Sequence, residues 1–296
     1  MLSITAEVFG QLLINGLVMG LVYAILASGL VLIMSVTGIF YLCYGGFYLL
    51  GAYFVWKMVV GYGWPFGISL VVTMILMDIF GILTYILFFR LLQKRGEFTG
   101  YVVGAMGLFV AINQSSLLVF GTVPRRIPVV IPGTLEFSGI SITYDKVLLA
   151  VLGIAITLIL FYFYQKTKVG RAMRAVSFLP EAANLQGINS SSIFTITIGG
   201  SCALAAFAGG MVGPSFGVHP QMGENIIMIV IIITLLGGMD SLLGACVAGI
   251  MVGLIQSFGQ FAVGGLVQVY LFLIIGIVIY FRPTGLFGSR TELSTR

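Results

Sequence analysis

Apolar runs of about twenty residues follow one another almost without pause along this chain, and that pattern constrains the fold more than any other feature. Residues 9–34 (FGQLLINGLVMGLVYAILASGLVLIM) carry no charge at all. Lipid offers no partner to a backbone N–H or C=O, so a run of this length must satisfy its own backbone as a helix. Further runs occupy 36–60, 64–92, 98–121, 147–165, 192–213, 225–259 and about 266–281. Two contain glycine doublets, Gly45-Gly46 after Cys43-Tyr44 and Gly237-Gly238. Doublets inside apolar stretches suggest helix breaks, and breaks near a bilayer midplane line substrate paths. The sequence leaves open whether 36–60 and 225–259 are full spans or broken helices. The expectation is an all-α polytopic transmembrane helical bundle. It has eight to nine membrane segments, one or two of them broken or re-entrant, in one domain over 1–296.

Composition excludes the alternatives. Of 296 residues, 59% are hydrophobic and only 8% charged, against roughly 25% charged in soluble domains. A soluble enzyme, a disordered chain and a nucleic-acid binder are all ruled out, the last because 14 Lys and Arg cannot coat such a surface. The runs are continuous rather than alternating, which excludes an outer-membrane barrel. Cys43, Cys202 and Cys246 lie in apolar runs without metal-type spacing and read as small packing residues. No Lys or Arg precedes Lys57, so no cleavable signal peptide is expected. Gly16/Gly20, Gly209/Gly213 and Gly249/Gly253 have the small-xxx-small spacing of helix-packing faces.

Orientation follows from the cations, since positive charge concentrates on the cytoplasmic side. Arg90, Lys94 and Arg95, then Lys166, Lys168, Arg171 and Arg174, then Arg282, Arg290 and Arg296 make ten of the 14. Placing all three groups in the cytoplasm puts loop 122–146 outside, the N-terminus outside and the C-terminus inside, which requires an odd span count. Pro124, Pro128 and Pro132 punctuate the outer loop, and Leu135–Tyr144 alternates around Ser138-Gly139, a hairpin signal.

Few residues could carry chemistry. No phosphate-binding loop is present, because Lys166-Thr167 follows Gln165 rather than Gly. One histidine, His219, and scattered acids build no metal cluster. No HExxH or GxSxG motif appears. Asp78 lies mid-span, so it reads either as a proton or cation relay or as a carboxyl turned inward against a neighbouring helix. Asn113-Gln114 lies deep in the fourth span; the two positions face about 100° apart, and they read as helix glue or as pathway lining.

The segment from Gly170 to Asn189 says most. Pro180 suits a first helical position, Glu181 the positive end of the helix dipole, and Gly187 a left-handed closing residue. A short helix of about two turns is expected outside the bilayer. It cannot stay helical alone in water, so it packs on lipid headgroups or in a groove of a partner subunit.

The same stretch, G-R-A-x-R-A-V-x-x-x-x-x-A-A-x-x-x-G-I-N, resembles the coupling loop of permeases in the branched-chain amino acid ABC importer family. Gly16–Leu30 is similar to their first span and Leu42–Tyr53 to their second, broken segment, with Tyr41 and Tyr44 where many members carry Asn and His. Leu235–Ala245 and Arg282–Gly288 resemble their late loop and C-terminal signature. The resemblance implies an inner-membrane permease subunit of a bacterial importer, with no enzymatic activity of its own and no cofactor on this chain. Its partners would be separate ATPase subunits using ATP and Mg²⁺, a second permease subunit, a periplasmic substrate-binding protein and the surrounding lipid. Arg171, Arg174, Pro180, Glu181, Ala182, Ala183, Asn184 and Gly187 would couple to the ATPase. Tyr44, Gly45, Gly46, Asn113, Gln114, Gly237 and Gly238 are the candidates for the translocation pathway. Branched-chain or other hydrophobic amino acids are the expected cargo, with urea and short amides also carried in the family. The rival is an ion-coupled carrier or channel using Asp78.

Overall fold

The computed structural model describes residues 6–93, 98–128, 130–131, 133–137, 140–282 and 285–288. Lys94, Arg95, Pro132, Ser138, Gly139, Arg290 and Arg296 lie outside these, as do residues 283–284 of the C-terminal signature.

Every apolar run becomes a helix, and the polar residues between them decide where each one starts. α1 (Ala6–Thr37) runs unbroken to Gly38, whose φ of +68° only glycine adopts readily. The connection Gly38–Cys43 leads into α2 (Tyr44–Trp56), extended by a π-helical turn over Lys57–Gly61. Pro65 then stands just before α3 (Phe66–Thr84), where its missing N–H costs no helical bond. α3 continues through a second π turn into α4 (Arg90–Gln93). α5 (Phe98–Phe120) ends at the outer loop. There β1 (Thr134–Phe137) pairs antiparallel with β2 (Ile140–Thr143), with Thr134 opposite Thr143 and Phe137 opposite Ile140. That is the hairpin the alternation predicted. α6 (Tyr144–Lys166) follows.

Side-chain caps set the next starts. Thr167 Oγ1 accepts from Gly170 N (3.0 Å) to open α7 (Lys168–Phe178). Pro180 opens α8 (Pro180–Leu185). Asn189 Oδ1 accepts from Ser192 N (3.2 Å) at α9 (Ser190–Phe216). α10 (Met222–Gly237) stops at the second glycine doublet, and Ser241 Oγ accepts from Gly244 N (3.0 Å) to restart the chain as α11 (Leu242–Val263). A short 3₁₀ turn precedes α12 (Val267–Phe281). The stretch 225–259 is therefore two helices. Among the described residues six helices are long and apolar enough to cross a membrane, and α10 and the 264–278 stretch are shorter apolar helices. The chain is a polytopic helical membrane protein.

Two compact units are built from interleaved stretches of the chain. The first comprises Met1–Val31, Gly133–Thr157 and Ile229–Arg296. Its seam is α1 on α11. A Cβ built on Gly253 would sit 2.4 Å from Gly20 N and Cα, and one on Gly249 2.6 Å from Ala24 N, so the two small-residue motifs face each other. Ser28 Oγ and Cys246 Sγ (3.2 Å), and Ser257 Oγ donating to Leu12 O (2.7 Å), fasten the same seam.

The second unit comprises Leu32–Pro132 and Leu158–Met228. α9 is its hub. Gly51 of α2 lies on the backbone of Ala206, Gly209 lies under Tyr48 O, and Gly81 of α3 meets Cys202. Tyr41 shares a 2.9 Å hydrogen bond with Thr84 Oγ1, which brings the broken segment against α3.

Candidate functional site

The loop 166–190 folds from a simple requirement: two short helices must hide apolar faces that they cannot hide alone. Met173 and Val176 of α7 and Ala183 of α8 pack with Val36 and Ile193 in one buried cluster. Gly170 permits the tight reversal after α6, since a Cβ there would lie 2.2 Å from Tyr164 O. Arg174 donates to the carbonyls of Tyr164 and Gln165 (3.2 Å to the latter), and its guanidinium lies 5.2 Å from the Tyr164 ring centre. Arg174 thus caps the C-terminus of α6, where cations belong. Arg171 is exposed.

α8 is held at both ends. Pro180 is its first residue, as expected, and Gly187 closes it at φ +83°. Asn184 Oδ1 accepts from Ser190 N (3.1 Å) and Ser190 Oγ (2.9 Å), tying α8 to the start of α9. Ala183 faces inward and Ala182 is half-buried, while Glu181 is exposed. Leu185 is 90% exposed and Phe178 83%. The six-residue α8 therefore presents an acid and the apolar Leu185 outward, with Phe178 exposed at the end of α7.

The transport candidates of the second unit converge only in part. Gly45-Gly46 is not a break. It lies in the first turn of α2, and the interruption falls earlier, at Gly38–Cys43. The doublet exists for close packing: a Cβ on Gly45 would be 2.5 Å from Gly223 O, and one on Gly46 2.8 Å from Ile112 Cγ2. Asn113 is buried beside Gly223, and its Nδ2 donates to Glu224 Oε1 (3.4 Å) while Oδ1 has no partner. Tyr44 is buried with its hydroxyl unpaired. Gln114, about 100° further round the helix, is exposed, so Asn113 alone of that pair is buried. Asp78 lies half-buried, with its Oδ1 only 2.6 Å from where a Gly199 Cβ would stand.

Gly237-Gly238 does mark a break, but its neighbours are the C-terminal segment. Gly238 has φ +103°. Leu286 N donates to Leu236 O (2.8 Å) and Phe287 N to Gly237 O (3.2 Å). The described part of the C-terminal signature thus satisfies the last carbonyls of α10. Sequence reasoning missed Gly223, Glu224 and Arg125. An ionisable residue at the end of an apolar run was the available signal for the last two.

Residues 12–281 match the family model described as branched-chain amino acid transport system / permease component. The chain belongs to this family. Its role is therefore that of a permease component, a transport subunit and not a catalyst. The chain is 28% identical to the high-affinity branched-chain amino acid transport system permease protein BraD of Pseudomonas aeruginosa, over 94% of this chain and 95% of that one. It is 23% identical to the corresponding permease protein LivH of Escherichia coli K12, over 95% and 96%. Among solved structures, PsaBC from Streptococcus pneumoniae in complex with Fab aligns over 91% of both chains with a TM-score of 0.52 and 16% identity, a likeness of fold.

Proposed function

We propose that this permease imports branched-chain or similarly hydrophobic amino acids across a bacterial inner membrane, by alternating access driven by separate ATPase subunits. The observation that carries the coupling is α8. It is pinned by Asn184, Ser190 and Ala183, yet it offers Glu181 and Leu185 to whatever lies beyond. Closure of an ATPase pair would pull on α8, and the shared cluster of Val36, Met173, Val176 and Ile193 would carry that movement to the ends of α1 and α9.

Counting α1, α2, α3, α5, α6, α9, α10, α11 and α12 as crossings gives the odd number that the cations require. The N-terminus is then outside and the C-terminus inside. That arrangement puts the loop 166–190 in the cytoplasm and the β hairpin outside, where a substrate-binding protein delivers its ligand. A second permease subunit completes the pore.

The test is purification of the tagged chain in mild detergent, followed by identification of its companions and uptake of labelled leucine into vesicles holding the complex. Recovery of an ATPase and ATP-dependent uptake are expected. A chain recovered alone, with uptake that follows an ion gradient and ignores ATP, overturns the proposal.

A further inference from the structure

In the second unit, α2, α3 and α5 enclose a groove of about 470 Å³. Leu50 and Phe54 of α2, with Met77 and Phe80 of α3, supply most of its apolar wall. Met77 and Ile112 are buried and form the bottom, whereas Ala111 and Ser115 of α5 are exposed and form the mouth. Ser115 is the one polar residue among the described residues that line it. Sites for small molecules have this character, with volumes of about 300–1,000 Å³, mostly apolar walls and a few polar groups.

The two rims of the groove differ in what they can face. α3 turns Ile75, Ile79 and Leu83 outward, an apolar row that hydrocarbon covers without cost. α5 exposes Gly107, Ala111, Gln114 and Ser115 instead. Gln114 stands six residues before the end of α5, which is about 9 Å along the helix axis. Neither Gln114 nor Ser115 has a hydrogen-bond partner among the described residues. Acyl chains would leave that amide unsatisfied at a depth where no other partner exists. The exposed face of α5 therefore borders water rather than lipid. An occupant that arrives from water and still fits an apolar groove must be small and amphiphilic.

We infer that the groove between α3 and α5 receives the hydrocarbon side chain of the transported amino acid, whose polar end stays at the mouth on the side of Ser115 and Gln114. This rests on the amino-acid reading above and deepens it, by assigning the preference for a hydrophobic cargo to Leu50, Phe54, Met77, Phe80 and Ile112.

The experiment places a thiol at the mouth and asks what reaches it. Ala111→Cys is reconstituted in vesicles with its ATPase subunits, held with a non-hydrolysable nucleotide and treated from outside with a membrane-impermeant quaternary-ammonium methanethiosulfonate. Ile79→Cys on the apolar row is the lipid-facing control. The unsubstituted chain sets the background, since Cys43 and Cys202 are buried. Ala111→Cys should react and Ile79→Cys should not. Saturating leucine should slow the reaction by about tenfold, and glycine, which has no side chain for the groove, should leave it unchanged. Ala111→Phe, which fills the mouth, should lower leucine uptake by about tenfold or more, because the side chain loses its apolar seat. A thiol at position 111 as unreactive as Ile79→Cys overturns the proposal and gives the groove to lipid, or to a second permease subunit if the thiol cross-links to one. Reaction that leucine does not slow overturns it as well. A wild-type complex without ATP-dependent leucine uptake refutes the parent reading, whereas missing protection in a complex that does transport leucine refutes this site alone.

Discussion

Replacing Gly253 with alanine tests the seam between α1 and α11 most sharply. The new methyl carbon would stand 2.4 Å from Gly20 N and Cα and 2.6 Å from Gly16 O, and all three atoms belong to backbone. Carbon atoms rest at about 3.5–4.0 Å, so α11 must withdraw by roughly 1 Å, and no side chain can rotate to spare it. Overpacking of this kind costs about 1–3 kcal/mol, and the upper end applies because backbone meets backbone. The better helix propensity of alanine returns about 0.5–1 kcal/mol, which leaves a net loss of about 2 kcal/mol. Gly107 of α5 is the control, because nothing lies within 4 Å of a Cβ built there. Gly107→Ala keeps the propensity gain and carries no clash, so the two variants should differ by about 3 kcal/mol. Reversible unfolding from mixed micelles into SDS, followed by far-UV circular dichroism, reads that difference. A Gly253→Ala protein as stable as Gly107→Ala would refute the claim that the two glycine motifs set the approach of these helices.

Gly45→Leu should abolish uptake or insertion, because even its Cβ would fall 2.5 Å from Gly223 O; vesicle uptake and detergent gel filtration separate the two failures. Leu185→Arg should leave the chain in the membrane but lose the ATPase in a pull-down, since the side chain is 90% exposed and holds nothing in this chain. Asn184→Ala should loosen α8 by about 1 kcal/mol through loss of its bonds to Ser190, read as faster amide exchange over 181–187. Asp78→Asn should retain transport, and loss of uptake in that variant would revive the ion-coupled rival.

The spans were legible because bilayer burial leaves a chain one local solution. Runs at 64–92, 98–121 and 147–165 fall close to α3, α5 and α6, and the hairpin followed from alternation over 135–144 around Ser138-Gly139. Breaks were read less well. A glycine doublet has two physical uses, as a stop and as a place for close approach, and composition does not say which. Gly237-Gly238 serves both: α10 ends there, and Gly237 lies 2.5 Å from the Gly244 backbone by the same Cβ measure. Gly45-Gly46 serves only the second, because the stop had already been made by Gly38, whose positive φ cannot be seen in a one-letter code.

The same distinction explains the functional residues. Pro180, Glu181 and Gly187 were legible because a helix start and stop are local events, written within a few residues of each other. Arg174 stands among the coupling candidates, yet its nearest task is to cap α6 through Tyr164 and Gln165, a contact ten residues back that the loop's own pattern does not encode. Glu224 and Arg125 were invisible for a stronger reason. Each gains meaning only from a partner far along the chain: Asn113 is 111 residues from Glu224, and Trp56 reaches Arg125 only through the packing of α2 against α5. In a membrane chain with 8% charged residues, an ionisable group near a span end is rare enough to be examined on that ground alone. Arg125 meets that criterion in the sequence, but only the folded chain shows its guanidinium over Trp56 and its backbone bridged to Val218.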